Sequence, residues 1–143
     1  MLIGMSAAVA QGVLGTTLDV DLWIDLPPRQ YMRVQNLARN LGATVAANTV
    51  VYLEDGTPVN FIFAVTGLGN FNQEYKYVRR LRFRDVEIPV LALERVAKSK
   101  AAVGRDKDLL HLKLIHEFLQ CQKAAAEQPG GHRRRSKTPR RGG

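Results

Sequence analysis

This sequence predicts an α/β (α+β) fold, a mixed β-sheet with flanking helices, and three observations support that. Strand-like runs with period-two alternation recur at residues 16–24, 49–54, 58–65, 81–83 and 86–90. Between and after them, apolar residues recur at three- and four-residue spacing over 31–41, 91–103 and 106–119. Glycines mark the joins at Gly42, Asp55-Gly56 and Gly104. A chain of 143 residues fits one domain.

Taken in order, Leu2-Ile3 ends a strand that runs into Gly4. Ala7, Ala8 and Ala10 make Ser6 to Gln11 a short helix, and Gly12 stops it. Nothing precedes the first strand, so either the fold needs no leading helix or an upstream start has been missed. Asp25-Leu26-Pro27-Pro28 opens a helix. Its stripe, Tyr31, Val34, Leu37, Ala38 and Leu41, is expected to be buried. The 49–54 and 58–65 runs form a hairpin about Asp55-Gly56. Gly67 to Asn70 is a loop, and Phe71 to Arg80 is expected to be a short helix. Residues 81–83 and 86–90 form a last hairpin about Arg84-Asp85, with Pro89 pointing to an edge strand. Leu91 to Val103 and a longer helix from Asp106 follow. Leu109, Leu112, Ile115 and Leu119 are the latter's expected core stripe, broadened by Leu110, Leu114 and Phe118. His111 and His116 lie five apart, which is not the spacing of a two-histidine metal site, and read as surface or boundary residues.

From Gln128 the periodicity ends. Residues 128–143 are basic, bear Gly and Pro, and are expected to be a disordered tail beside a domain of residues 1–127. The net charge is +8, and Arg133, Arg134, Arg135, Lys137, Arg140 and Arg141 supply six of it. Such a tail could hold nucleic acid through counterion release, or simply solubilise the chain. No apolar run is long enough for a membrane helix, and the opening residues lack the basic leader of a signal peptide. The single cysteine, Cys121, excludes an internal disulfide and fits a reducing cytoplasm. It is expected to be partly buried on a helix.

The chemistry concentrates at Thr16-Thr17-Leu18-Asp19-Val20-Asp21-Leu22-Trp23-Ile24. A strand there projects Asp19 and Asp21 from one face. Two like charges so close repel, and each raises the pKa of the other. A hard divalent cation is the common compensator, and a solvated strand face is the plain alternative.

Three stretches together resemble the nucleotidyltransferase superfamily, whose fold is that of the DNA polymerase β palm, and most closely its small bacterial AbiEii-like branch. They are Leu2-Ile3-Gly4 with the short helix ending at Gly12, the acidic strand, and Lys98-Ser99-Lys100-Ala101-Ala102-Val103-Gly104-Arg105-Asp106-Lys107-Asp108-Leu109. The resemblance implies a Mg²⁺-dependent transfer of a nucleoside monophosphate from a nucleoside triphosphate to an acceptor hydroxyl. It implies Asp19 and Asp21 as catalytic metal ligands and Asn60 as the third position of the metal shell. It implies Gly4, Ser6 and Thr17 near the phosphates, with Lys98, Lys100, Arg105 and Lys107 as candidate cations. An antitoxin-like protein or a second copy of the chain is the implied partner.

Three residues depart from the family's pattern. Met5 stands where a second small residue is usual, Gly15 where an arginine is frequent, and Asn60 where a third carboxylate belongs. An amide can coordinate Mg²⁺ but cannot serve as a carboxylate base. Beside the enzyme, two alternatives therefore stand: a catalytically degenerate binding or regulatory protein, and a nucleic-acid-associated module that uses the basic tail.

Overall fold

The computed structural model describes residues 1–127, so the expected tail at 128–143 lies outside the described residues. Seven strands form one mixed sheet: β1 (Leu2–Ile3), β2 (Val20–Trp23), β3 (Thr44–Ala47), β4 (Val50–Tyr52), β5 (Pro58–Ile62), β6 (Val78–Phe83) and β7 (Val86–Leu91). Five helices accompany it: α1 (Gly4–Ala10), α2 (Tyr31–Asn40), α3 (Phe71–Glu74), α4 (Leu93–Val103) and α5 (Asp106–Glu127). The α/β class with a mixed sheet is as the sequence predicts.

The strand order is β3-β4-β5-β2-β1-β7-β6. Strand β2 runs antiparallel to β1 and parallel to β5, and β1 runs parallel to β7. Alternation sorts the side chains onto two faces. Ile3 and Trp23 pack with Leu91, Leu93, Val96 and Ile115 under α1, α4 and α5. Val51, Val59 and Phe61 pack with Ala38 on the α2 side. Trp23 meets Phe71 edge to face at 5.8 Å between ring centroids, which ties α3 to the larger cluster.

Several expectations need correction. Helix α1 begins at Gly4, because Gly4 takes a φ of +65° and turns the chain directly out of β1. Residues 16–19 are not strand; the ladder with β5 starts at Val20. Strand β3 was not expected, since Thr-Val-Ala-Ala is short and only weakly patterned; it forms by pairing with β4. The expected helix at 71–80 is one turn of α3, a 3₁₀ turn at Tyr75–Tyr77, and then the start of β6. Val78 and Arg80 join β6 because β7 continues to Leu91 and supplies their partners.

Pro89 lies on β7, an interior strand, and not on an edge. Counting from the Phe83–Val86 pair that closes the hairpin, Pro89 stands opposite Arg80 where no hydrogen bond to β6 is required. Its missing N–H faces β1, which is only two residues long. Cys121 is exposed, not partly buried.

The stripe of α2 is only partly buried. Ala38 is covered, yet Leu37 is 61% and Leu41 75% exposed. Together with Val34 they border an apolar groove floored by Leu22, Val59 and Phe61. On α5, Ile115 is fully buried, while Leu109 and Leu110 face outward.

Candidate functional site

The site begins with the parallel pairing of β2 and β5, which sets Asp21 opposite Asn60. The Asn60 Nδ2 donates to Asp19 Oδ2 at 3.1 Å and to Asp21 Oδ1 at 2.9 Å. One amide nitrogen thus spends its two protons on two carboxylates and offsets their repulsion. The Thr17 hydroxyl donates within Asp19, lying 3.0 Å from both its carbonyl oxygen and its Oδ1. Burial raises the pKa of Asp21, and the charge of Asp19 adds to that; the Asn60 hydrogen bond and the Lys100 and Lys107 charges oppose it.

Gly4 touches this carboxylate. A Cβ at Gly4 would lie 2.5 Å from Asp21 Oδ2, so both the positive φ and the close approach require glycine. Ser6 is buried, and its hydroxyl is committed. It donates to the Ile3 carbonyl at 2.8 Å and accepts from the Asp21 N–H at 3.4 Å. In the structure Ser6 therefore braces β2 against the turn into α1. Met5 is buried as well, and its Cε would lie 2.6 Å from a Cβ on Gly15. Two of the three departures from the family pattern pack against each other.

A cationic wall faces the acidic pair. Lys100 Nζ donates to Asp108 Oδ1 at 2.8 Å, and Arg105 Nε donates to Asp108 Oδ2 at 2.6 Å. Asp108 is fully buried, and its pKa is lowered to about 2, chiefly by the Arg105 hydrogen bond and also by Lys100. The carboxylate fixes where both cations stand. With Lys107 and His111 they line a cleft of about 630 Å³ that Thr17, Asp19 and Asp21 also line. That volume lies within the range of small-molecule sites. A smaller recess of about 180 Å³ continues past Asp21 between Gly4, Thr66, Ser99 and Lys100. Lys98 is exposed and lines neither space.

Asp108 and His111 are the residues that sequence reasoning missed. The Nδ1 of His111 is buried without a hydrogen-bond partner, and desolvation, then the Lys100 charge, lowers its pKa. The signal was available on α5: Lys107, Asp108 and His111 fall at three- and four-residue spacing, hence on one side of a helix. Asp55, beside the hairpin turn, is used locally: its Oδ1 accepts from the Thr57 N–H at 2.9 Å.

The donor set suits a hard cation in kind: two carboxylates and an amide whose oxygen can serve once the group turns over. Among the described residues, no three His, Cys, Asp or Glu side chains gather into a metal-holding group. Also among the described residues, no helix is long and apolar enough to cross a membrane. No protein-family model, characterised protein or solved structure matches this chain.

Proposed function

We propose that this protein is a Mg²⁺-dependent nucleotidyltransferase that moves a nucleoside monophosphate from a nucleoside triphosphate to an acceptor hydroxyl. One observation carries the reading: Asp19 and Asp21, bridged by the Asn60 amide, line the same cleft as Lys100, Arg105 and Lys107. Asp19 and Asp21, with the Asn60 amide oxygen once that group turns over, would hold Mg²⁺, which would supply charge neutralisation for the reacting phosphate oxygens. The cations supply the matching charge for the triphosphate, and Asp108 holds two of them in place before the substrate arrives. In the overall change the acceptor oxygen bonds to the α-phosphorus, pyrophosphate leaves, and the hydroxyl loses its proton. Asn60 cannot take that proton; His111 lines the same cleft and is the imidazole placed to accept it.

A second reading has its own support. The Asn60 amide already bridges both carboxylates, so the acidic pair is satisfied without a metal. That favours a catalytically degenerate protein that binds nucleotide and regulates, in a toxin–antitoxin pair or elsewhere.

Thermal unfolding with each nucleoside triphosphate, with and without Mg²⁺, tests the first reading. Saturating ligand should raise the Tm by several degrees. Label from an α-phosphate-labelled triphosphate should then reach an acceptor in wild type but not in Asp19→Ala or Asp21→Ala. Binding without transfer establishes the second reading. A wild type that Mg²⁺ and nucleotides do not stabilise, or transfer that survives both substitutions, overturns the first.

A further inference from the structure

Residues 76–84 carry Lys76, Arg79, Arg80, Arg82 and Arg84 with no acid among them. Setting these five and the six cations of residues 132–143 aside leaves ten of the 21 lysines and arginines against all 13 acids. The rest of the chain is therefore slightly acidic, and the positive charge of the described domain is gathered on one stretch. That stretch is the outer strand of the sheet, β6, with the turns at its two ends.

Little of this charge is neutralised. Arg80 meets Glu87 at 3.5 Å, and both side chains are more than half exposed. Among the described residues, Lys76, Arg79, Arg82 and Arg84 have no carboxylate partner. Arg82 Nε donates to the Arg84 carbonyl, which lays the side chain along the strand end. Arg84 is the single non-glycine residue with positive φ among the described residues, at 53°. Turn chemistry alone would favour Gly or Asn there.

Aromatic rings lie among the cations. Tyr77 is 52% and Phe83 43% exposed. Arg80 lies over the Tyr75 ring at 5.7 Å and Arg95 over the Tyr77 ring at 4.7 Å. Alternation puts Arg80 and Arg82 on one face of β6, about 6.6–6.8 Å apart, a spacing that suits successive phosphates of an extended polynucleotide, and puts Arg79 on the other face with Phe83, so the edge carries cations on both sides. Charges on an edge strand also discourage edge-to-edge aggregation. That purpose needs neither exposed aromatic rings nor arginine in the turn.

We propose that the β6 edge, from Lys76 to Arg84, is a docking surface for single-stranded nucleic acid, with arginines on the phosphates and Tyr77 and Phe83 beneath the bases. Strand register connects this surface to the cleft. Phe61, Leu22, Leu2, Val90 and Arg79 form one row across the sheet; the row of Asn60 and Asp21 is one residue along and projects to the opposite face, which Arg80 shares. Three strand spacings separate β2 from β6, roughly 14 Å. If the cleft performs the transfer proposed above, a polynucleotide held on β6 is the class of acceptor whose end reaches it. That step rests on the proposed function, whereas the docking surface does not.

Fluorescence anisotropy of labelled 20-nucleotide single strands, RNA and DNA, tests the surface with the full chain and with neither Mg²⁺ nor nucleotide present. Wild type should bind both, with a steep salt dependence. The triple variant Arg79→Gln/Arg82→Gln/Arg84→Gln should lose about 2 from the magnitude of the log–log salt slope, at roughly 0.7 per phosphate contact. The corresponding triple lysine variant should keep the slope. Tyr77→Ala should weaken binding at least fivefold without changing the slope. Residues 132–143 are unchanged in every variant, so differences report the edge. A folded glutamine variant with the wild-type slope overturns the proposal. So does a blunt duplex that binds as well as the single strands, or polyglutamate that competes as well as RNA. Because the cleft residues are intact and unused in this measurement, its failure leaves the nucleotide-transfer reading to its own test.

Discussion

Asp108 shows how much one side chain can decide. It is buried, and it holds Lys100, itself only 15% exposed, and Arg105. Asp108→Ala should cost about 3 kcal/mol, because it strands a buried ammonium without its counter-charge. Urea unfolding measures this, and a loss under about 1 kcal/mol would contradict it. The sign with pH follows from its lowered pKa. Its contribution is complete above the unfolded value of 3.8 and disappears as the pH falls through about 2. That contribution is worth about 2 kcal/mol, and the alanine variant should lack this part of the acid sensitivity. Asp21 behaves oppositely. Its raised pKa means that the folded state holds its proton more tightly, so the charged form is a burden at neutral pH and none below pH 3.8. Asp21→Asn should therefore raise the Tm at pH 7 and leave it nearly unchanged near pH 3. Asp19 and Asp21 were legible as a pair from their two-residue spacing, although only Asp21 lies on β2 and it is the Asn60 amide that holds Asp19 beside it. Asp108 was not, because its meaning lies in the burial that α4 and α5 create between them.

At the scale of elements, apolar periodicity located α2, α4 and α5 but could not say which stripe would be covered. Helices α2 and α4 look alike in sequence. Leu93 of α4 is 1% exposed, while Leu37 of α2 borders the open groove. Leu93→Ala should cost about 2–5 kcal/mol and Leu37→Ala less than about 1 kcal/mol, and denaturant midpoints of the two variants compare them directly. The same limit explains Pro89, whose rule for edges assumes a full-length neighbour where β1 offers two residues. It also explains Glu74. On a solvent-facing helix it would be an ordinary acid; here it is buried, accepts a bidentate bond from Arg95 and one from the Gly69 N–H, and so anchors the 67–70 loop to α4. Long-range pairing supplies these partners, and local pattern does not contain it.

At the scale of the molecule, the sheet does the organising. Its central strands β1, β2 and β5 bring together residues from four separate parts of the chain: Gly4, Asp19 with Asp21, Asn60, and the Lys100–His111 wall. The order and type of most elements could be read from the sequence, whereas the strand order could not, since it depends on which edges meet. The two faces of the sheet also differ in finish. The cluster under α1, α4 and α5 is closed, and the α2 side leaves Leu37 and Leu41 beside an uncovered apolar floor. That asymmetry sets the colloidal behaviour of the chain. Eight net positive charges keep copies apart near pH 7, six of them from residues 132–143. Concentrated salt screens that repulsion, and a pH near 10.1 cancels it. Under either condition self-association should rise, and light scattering against salt and pH checks that expectation.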